Sequence, residues 1–309
     1  MDFTWKDSLP LPSFLHLFHQ ESIVNRMNRN GFLFIDKEAG PSSRRVDNLL
    51  RRKRNRKHVG HLGTLDPFAS GLFIVALGEG TKRLPFLKDE EKTYIAKLEL
   101  GKNTDTRDCL GKVTEEKEVP SLSAELIRNT RKGRRGTYQQ EIPSFSATHY
   151  EGKRRYDLAR EGKKIPKRTK EVTIKERNLI GFDGKTITFS AKVSKGTYIR
   201  TLGRDLAVEL NTLGYLSYLR RIRIGERDIV KAKKIEQITE EDIIPIVELF
   251  PEIPQYQCKD ETERKRAAHG NELWLSTIAE RLFIRQGDVP LALYQKEGQK
   301  YVCVKGFNQ

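Results

Sequence analysis

The stretch His58-Val59-Gly60-His61-Leu62-Gly63-Thr64-Leu65-Asp66-Pro67-Phe68-Ala69-Ser70-Gly71 runs directly into Leu72-Phe73-Ile74-Val75-Ala76-Leu77. The second part is an unbroken apolar run with the pattern of a strand buried on both faces. The first part is punctuated by Gly60, Gly63 and Gly71, which permit close backbone approach. Pro67 biases Asp66 toward an extended conformation and stiffens the exit from the loop. An aspartate in such a loop, just ahead of a buried strand, is a nucleophile, a base, or the acceptor of an Asx turn or helix cap.

Elements can be read outward from this loop. Gly31–Asp36 is a short apolar strand that ends in a turn at Gly40-Pro41. Ser42 or Ser43 caps a helix through Val46, Leu49 and Leu50 to about Lys57. Alternation over 92–101 turns Tyr94, Ala96, Leu98 and Leu100 to one face of a strand, with Val113 in its hairpin partner. A helix is expected at 121–129, strands at 171–182, 185–194, 196–199 and 218–224, and a helix at 201–210. Residues 235–250 read as a helical connection. The tail reads as a helix at 261–269 with strands near 272–275, 281–285, 290–294 and 300–304.

Charge is concentrated. Segments 44–57, 128–136, 153–170 and 220–234 hold 29 basic and five acidic residues, while the 309-residue chain as a whole carries +16, so the remainder is net acidic. Four basic patches on a mildly acidic body are the footprint of a polyanion binder, here a nucleic acid. The longest apolar run falls far short of the roughly 20 residues a spanning helix needs, which excludes a transmembrane protein. Cys109, Cys258 and Cys303 are odd in number and far apart, with no metal-ligand spacing, so no disulfide scaffold or zinc module is expected. That cysteine usage suits the reducing cytoplasm. The first 26 residues have neither a signal-peptide nor a transit-peptide pattern.

The segment GHLGTLDPFASGL (60–72) closely resembles the catalytic motif of TruB-type pseudouridine synthases, which isomerise the T-loop uridine at tRNA position 55. The likeness extends in order through IDKEAGPSS (35–43), GEGTK (78–82), KTYIAKLELG (92–101) and TDTRDCLG (104–111). It continues through EGKRRYDLAREGK (151–163), SKGTYIRTLGRDL (194–206) and YLRRIRIG (218–225), covering about 28–250. Where the family usually has a proline, a tyrosine and a lysine before the GKRRY run, this chain has Ile142, Phe145 and His149.

The resemblance implies an α+β pseudouridine synthase fold: a mixed, largely antiparallel central sheet flanked by helices, plus a small mostly-β C-terminal PUA-like domain. It implies an extension over 1–27, a catalytic domain over 28–250 with an RNA-binding insertion at about 121–152, and the small domain over 251–309. Asp66 would be the catalytic carboxylate, Arg200 its partner, and Tyr94 the stacking face for a flipped uracil, with a hydroxyl to help remove the C5 proton. Leu219 would be the opposite wall, and His61 would fill the space the base vacates. Lys82, Lys37, Tyr198, Gly63 and Asp105 complete the expected substrate-binding set. Attack on the base, attack on C1′ and removal of a sugar proton all use an ionised carboxylate at position 66. No metal or cofactor is implied. The partner would be the T arm and elbow of tRNA, bound by a monomer without a membrane. Two competing readings are a guide-dependent synthase with protein partners and a non-catalytic chaperone of the tRNA elbow. Asp66, Tyr94 and Arg200 together argue against the second.

Overall fold

The computed structural model describes residues 30–87, 90–130, 135–163, 165–287 and 289–307. The extension expected over 1–27 lies outside the described residues, as do 131–134 of the insertion. The chain divides into two units. One comprises 33–76 and 81–238; the other includes 30–32, 77–80 and 239–307.

In chain order the first part holds β1 (Gly31–Lys37), α1 (Ser43–Lys53), β2 (Val59–His61), β3 (Ser70–Leu77), β4 (Lys92–Leu100), β5 (Lys102–Thr104) and β6 (Val113–Glu116). Next come α2 (Ala124–Thr130), β7 (Gly136–Glu141), β8 (His149–Tyr150), β9 (Lys153–Arg154) and α3 (Arg155–Arg160). The large unit ends with β10 (Thr169–Phe182), β11 (Thr186–Val193), α4 (Ile199–Glu209), β12 (Gly214–Ile224) and β13 (Arg227–Asp228).

These strands form a sheet ordered β1-β3-β12-β4-β11-β10-β7, with β2 on β3 and β13 on β12. β12 runs parallel to β3 and antiparallel to β4, and the β4–β11, β11–β10 and β10–β7 pairs are antiparallel. The sheet is therefore mixed and largely antiparallel, as expected. Leu72 to Leu77 are completely buried because β3 lies between β1 and β12 and is covered on both faces. Each such large apolar side chain contributes roughly 1.5–3 kcal/mol through burial. In α4, Leu202, Leu206 and the following Leu210 line the buried side.

Several local expectations are corrected. Val113 pairs with Thr104 in the β5–β6 hairpin, not with β4, whose two edges are already taken by β11 and β12. Residues 196–199 do not form a strand: Thr197 N–H returns to Ser194 O at 3.4 Å, Gly196 has φ +76°, and α4 starts at Ile199. The connection at 235–250 holds only the single 3-10 turns Glu240–Asp242 and Ile246–Leu249, separated by Pro245, which has no N–H to give a continuous helix. Near 272–275 only Leu273 makes a bridge, to Tyr301.

The tail forms its own sheet, ordered β14 (Gln255–Gln257), β15 (Arg281–Gln286), β16 (Val289–Glu297) and β17 (Lys300–Gly306), with α5 (Glu261–Ala268) between β14 and β15. β14 pairs parallel to β15 and was not anticipated. Among the described residues, no helix is long and apolar enough to cross a membrane.

Candidate active site

The loop between β2 and β3 is held from three sides. Ser42 caps α1, which turns the next residue, Ser43, inward. The Ser43 hydroxyl donates to Leu65 O at 2.8 Å and accepts from Leu65 N–H at 2.9 Å. From β1, the buried Lys37 ammonium donates to Ala69 O at 2.7 Å and Glu38 O at 2.9 Å, and lies 3.5 Å from Asp66 O. From β12, Arg221 is completely buried and donates through both terminal nitrogens to Gly63 O, each at 3.1 Å, and through Nε to Leu72 O at 2.8 Å. Gly63 has φ +70°, which presents its carbonyl to this fork without steric cost.

Asp66 emerges from this frame with its side chain 34% exposed, against 4% for its partner Arg200. Arg200 is the second residue of α4. Its Nη2 donates to Asp66 Oδ1 at 3.0 Å, and its Nε lies 2.8 Å from Oδ2 off the line of a hydrogen bond. The same guanidinium donates to Thr106 O and Phe145 O, each at 2.8 Å, and lies 3.4 Å from Asp108 Oδ2. One buried cation thus serves two carboxylates and two carbonyls, a geometry that suits the planar fork of arginine and not an ammonium.

Asp108 is nearly fully buried. Burial raises its carboxyl above the usual value, while the Thr106 hydroxyl, Arg200 and Leu110 N–H pull the other way and Asp66 adds to the rise. Burial also pushes the Lys37 ammonium down to about 8, with Asp66 opposing and Arg221 reinforcing the shift.

Tyr94 is buried on β4 opposite Arg221, and the next pair on that face, Ala96 with Leu219, brings Leu219 beside it. Tyr94 and Arg221 interact directly: burial lowers the guanidinium pKa and the phenol side chain opposes that shift. His61 Nδ1 is 2.7 Å from Asp47 Oδ2, its Nε2 is 3.3 Å from Thr64 Oγ1, and its ring centroid is 5.0 Å from that of Phe73.

The anticipated residues do not all converge. Asp66, Arg200, Lys37, Gly63 and His61 belong to the loop and its supports, while Tyr94 and Leu219 share the adjoining sheet face. Tyr198 lies at the start of α4, where its backbone is gripped by Gln140. Asp105 is exposed and its Oδ1 accepts the Lys112 N–H at 2.9 Å, within its own loop. Lys82 stands exposed on the 3-10 segment Gly78–Leu87. The sequence reading gave no site role to Asp108, Gln140 or Arg221, and named Ser43 only as a candidate helix cap. Arg221 left a signal only in its phase, two residues past the buried Leu219 on the same face of β12.

The insertion also reaches α4: besides Phe145 O on Arg200, it brings a carboxylate to the same helix. Glu141, at the end of β7, pairs with Arg107 and with Arg204 of α4, and its carbonyl accepts from Thr201 Oγ1 at 3.2 Å. Burial tends to raise the Glu141 carboxyl, but Arg107 and Arg204 together hold it below its usual value.

Comparison with known proteins adds four findings. The sequence model described as "TruB family pseudouridylate synthase (N terminal domain)" matches residues 51–199. A protein of Syntrophotalea carbinolica named tRNA pseudouridine synthase B is 35% identical over 265 residues, covering 84% of this chain and 86% of that one. A Thermotoga maritima protein of the same name is 34% identical over 278 residues, covering 88% of each chain. Among solved structures, a chain of an H/ACA RNP bound to a substrate RNA containing 2′-deoxyuridine superposes with a TM-score of 0.66. That match covers 93% of this chain and 87% of the other at 20% identity, a likeness of fold.

Proposed function

Because the chain belongs to the TruB family of pseudouridylate synthases, we propose that it converts a uridine of tRNA to pseudouridine, at position 55 of the T loop. The N1–C1′ bond breaks, the uracil turns, and a C5–C1′ bond forms. The C5 hydrogen leaves as a proton and N1 takes one up, so the product is an isomer and no oxidant or reductant is consumed.

The observation that carries the reading is the Asp66–Arg200 pair. A carboxylate open to solvent on one side is held by a guanidinium that is itself buried and committed to neighbouring carbonyls. Such a pair aims the carboxylate toward its open side, where a substrate can reach it. Asp108 would anchor the far side of Arg200. Tyr94 would stack on the extruded uracil and its hydroxyl would help remove the C5 proton, with Leu219 as the facing wall. His61 would occupy the space the base leaves. Lys37 and Gly63 would keep the loop in shape, while Lys82, Tyr198 and Asp105 would contact the RNA around the pocket.

Extruding a stacked base costs a few kcal/mol. Phosphate contacts from the four basic segments and the insertion at 121–152 would offset that cost and position the T arm. The tail over 251–309 is read as a PUA-like domain. The protein would act as a monomer without guide RNA or partner proteins. The test is to incubate the pure protein with an unmodified tRNA transcript and map pseudouridine by sequence position. Product at position 55 is expected. Product elsewhere, or only with added guide RNA and proteins, would contradict the reading.

A further inference from the structure

Two buried side chains grip the backbone just ahead of each half of the Asp66–Arg200 pair, and both do so in the same way. Ser43 uses one hydroxyl to satisfy both Leu65 O and Leu65 N–H, at 2.8 and 2.9 Å. Leu65 immediately precedes Asp66. Gln140 accepts from Tyr198 N–H through Oε1 at 2.8 Å and donates from Nε2 to Tyr198 O at 3.1 Å. Tyr198 lies two residues before Arg200 at the N-terminal edge of α4. Gln140 Nε2 also donates to the Tyr138 hydroxyl at 2.9 Å, which fixes the orientation of the amide. Ser43 is 3% and Gln140 1% exposed.

Satisfying a buried donor or acceptor is a common duty of polar side chains. Closing both backbone groups of a single residue is more specific, because it blocks rotation of the peptides on either side. Gln140 comes from the insertion and Ser43 from the helix facing the loop, so each half of the pair is set by a different part of the fold. The Phe145 carbonyl, also from the insertion, lies directly on Arg200. Resting on the function proposed above, we infer that Ser43 and Gln140 are positioning residues that set Asp66 and Arg200 in register, and that through Gln140 the insertion acts on the arginine.

The test compares wild type with Ser43→Ala, Gln140→Met, their double variant and Gln140→Glu. Single-turnover pseudouridine formation is measured at saturating tRNA, with tRNA affinity and melting temperature measured alongside. Displacing a reacting group by about 1 Å can cost about 100-fold, so each single variant is expected to slow the single-turnover rate by at least about 10-fold. Affinity should stay within about three-fold, because phosphate contacts dominate it. The double variant should lose less than the product of the two single losses, since either clamp acts on the same pair. Gln140→Glu keeps the acceptor prong and should retain more rate than Gln140→Met. If Gln140→Met does not fold, Ser43→Ala and Gln140→Glu decide the matter. Folded variants that keep the wild-type rate, or whose loss lies wholly in affinity, overturn the inference. A wild-type protein inactive on tRNA overturns the proposed function as well, and so separates the two failures.

Discussion

Arg200 meets Asp66 across 134 positions of chain, with Nη2 3.0 Å from Oδ1 and Nε 2.8 Å from Oδ2. The contact is lopsided: the cation is buried and multiply held, whereas the anion keeps a face to solvent. A structural ion pair has no need of that asymmetry, but a carboxylate that must be presented to a substrate does.

Replacing Arg200 tests that arrangement. Arg200→Lys keeps the charge but cannot serve Asp66, Asp108 and two carbonyls at once, so turnover should fall by about 100-fold or more. Arg200→Met leaves Asp108 buried without its cation and should destabilise the protein by about 3–5 kcal/mol, measured by urea denaturation at pH 7. The Asp108 carboxyl already lies above its usual value through burial, and loss of Arg200 raises it further. A carboxyl that binds its proton more tightly when folded gains stability as pH falls through its folded value toward its unfolded one. The deficit of Arg200→Met relative to wild type should therefore shrink between pH 7 and pH 5. A constant deficit would show that Asp108 is not the group left exposed to this penalty.

Lys37 predicts an alkaline limb. Its ammonium holds the loop carbonyls, and burial brings its pKa to about 8. Deprotonation removes donor capacity at Ala69, Glu38 and Asp66, so activity should decline as pH rises through about 8. Stability responds in the opposite sense. The folded value lies below the unfolded one, so between the two the unfolded state binds more protons and this group's contribution to stability grows with pH. Lys37→Met should be less active than wild type and lack the limb. The same limb in Lys37→Met would assign it to another group.

Gly71 faces Arg221 across the parallel β3–β12 pair. A Cβ at Gly71 would lie 2.3 Å from Arg221 O and 2.7 Å from Arg221 N, at φ +106°. Gly71→Ala should therefore cost about 2 kcal/mol or more, through both the clash and the backbone conformation. Because Arg221 holds the Gly63 carbonyl, catalysis should fall with stability. Thermal melting and turnover measured on one preparation check both. A variant with wild-type stability would contradict the strand register.

Tyr94 separates stacking from proton transfer. Tyr94→Phe should bind tRNA nearly as wild type does yet form product at least about 10-fold more slowly, the range expected for loss of a group that moves a proton. Tyr94→Leu should weaken binding as well. Equal affinity losses in the two variants would remove the stacking role.

Parts of this architecture could be read from the chain. The glycine and proline punctuation of 58–71 and the unbroken apolar run after it mark a tight loop ahead of a doubly covered strand. Alternation marks β4, β10 and β11. Partner choice was less legible: nothing local says that Val113 must turn to Thr104, because the edges of β4 are claimed by strands far along the chain. Ser42 and Ser43 are equivalent as helix caps by pattern, and only the packed loop decides that Ser42 caps while Ser43 turns inward. The acids Asp105 and Asp108 are likewise three residues apart in one motif. The left-handed backbone of Arg107, at φ +61°, lies between them, and Asp108 is the acid that meets Arg200. The polar clamps on Leu65 and Tyr198 leave no periodic trace, since each is a single residue acting on distant backbone.

Isomerisation depends most directly on the charge that Asp66 is proposed to supply. Asp66→Asn keeps the size of the side chain and much of its contact with Arg200, but removes that charge. The decisive measurement is pseudouridine at position 55 of a tRNA transcript after prolonged incubation with the variant, with tRNA affinity measured on the same preparation. No product above background is expected, with affinity within about three-fold of wild type because phosphate contacts dominate binding. Substantial product from the folded variant would show that the catalytic carboxylate is not Asp66.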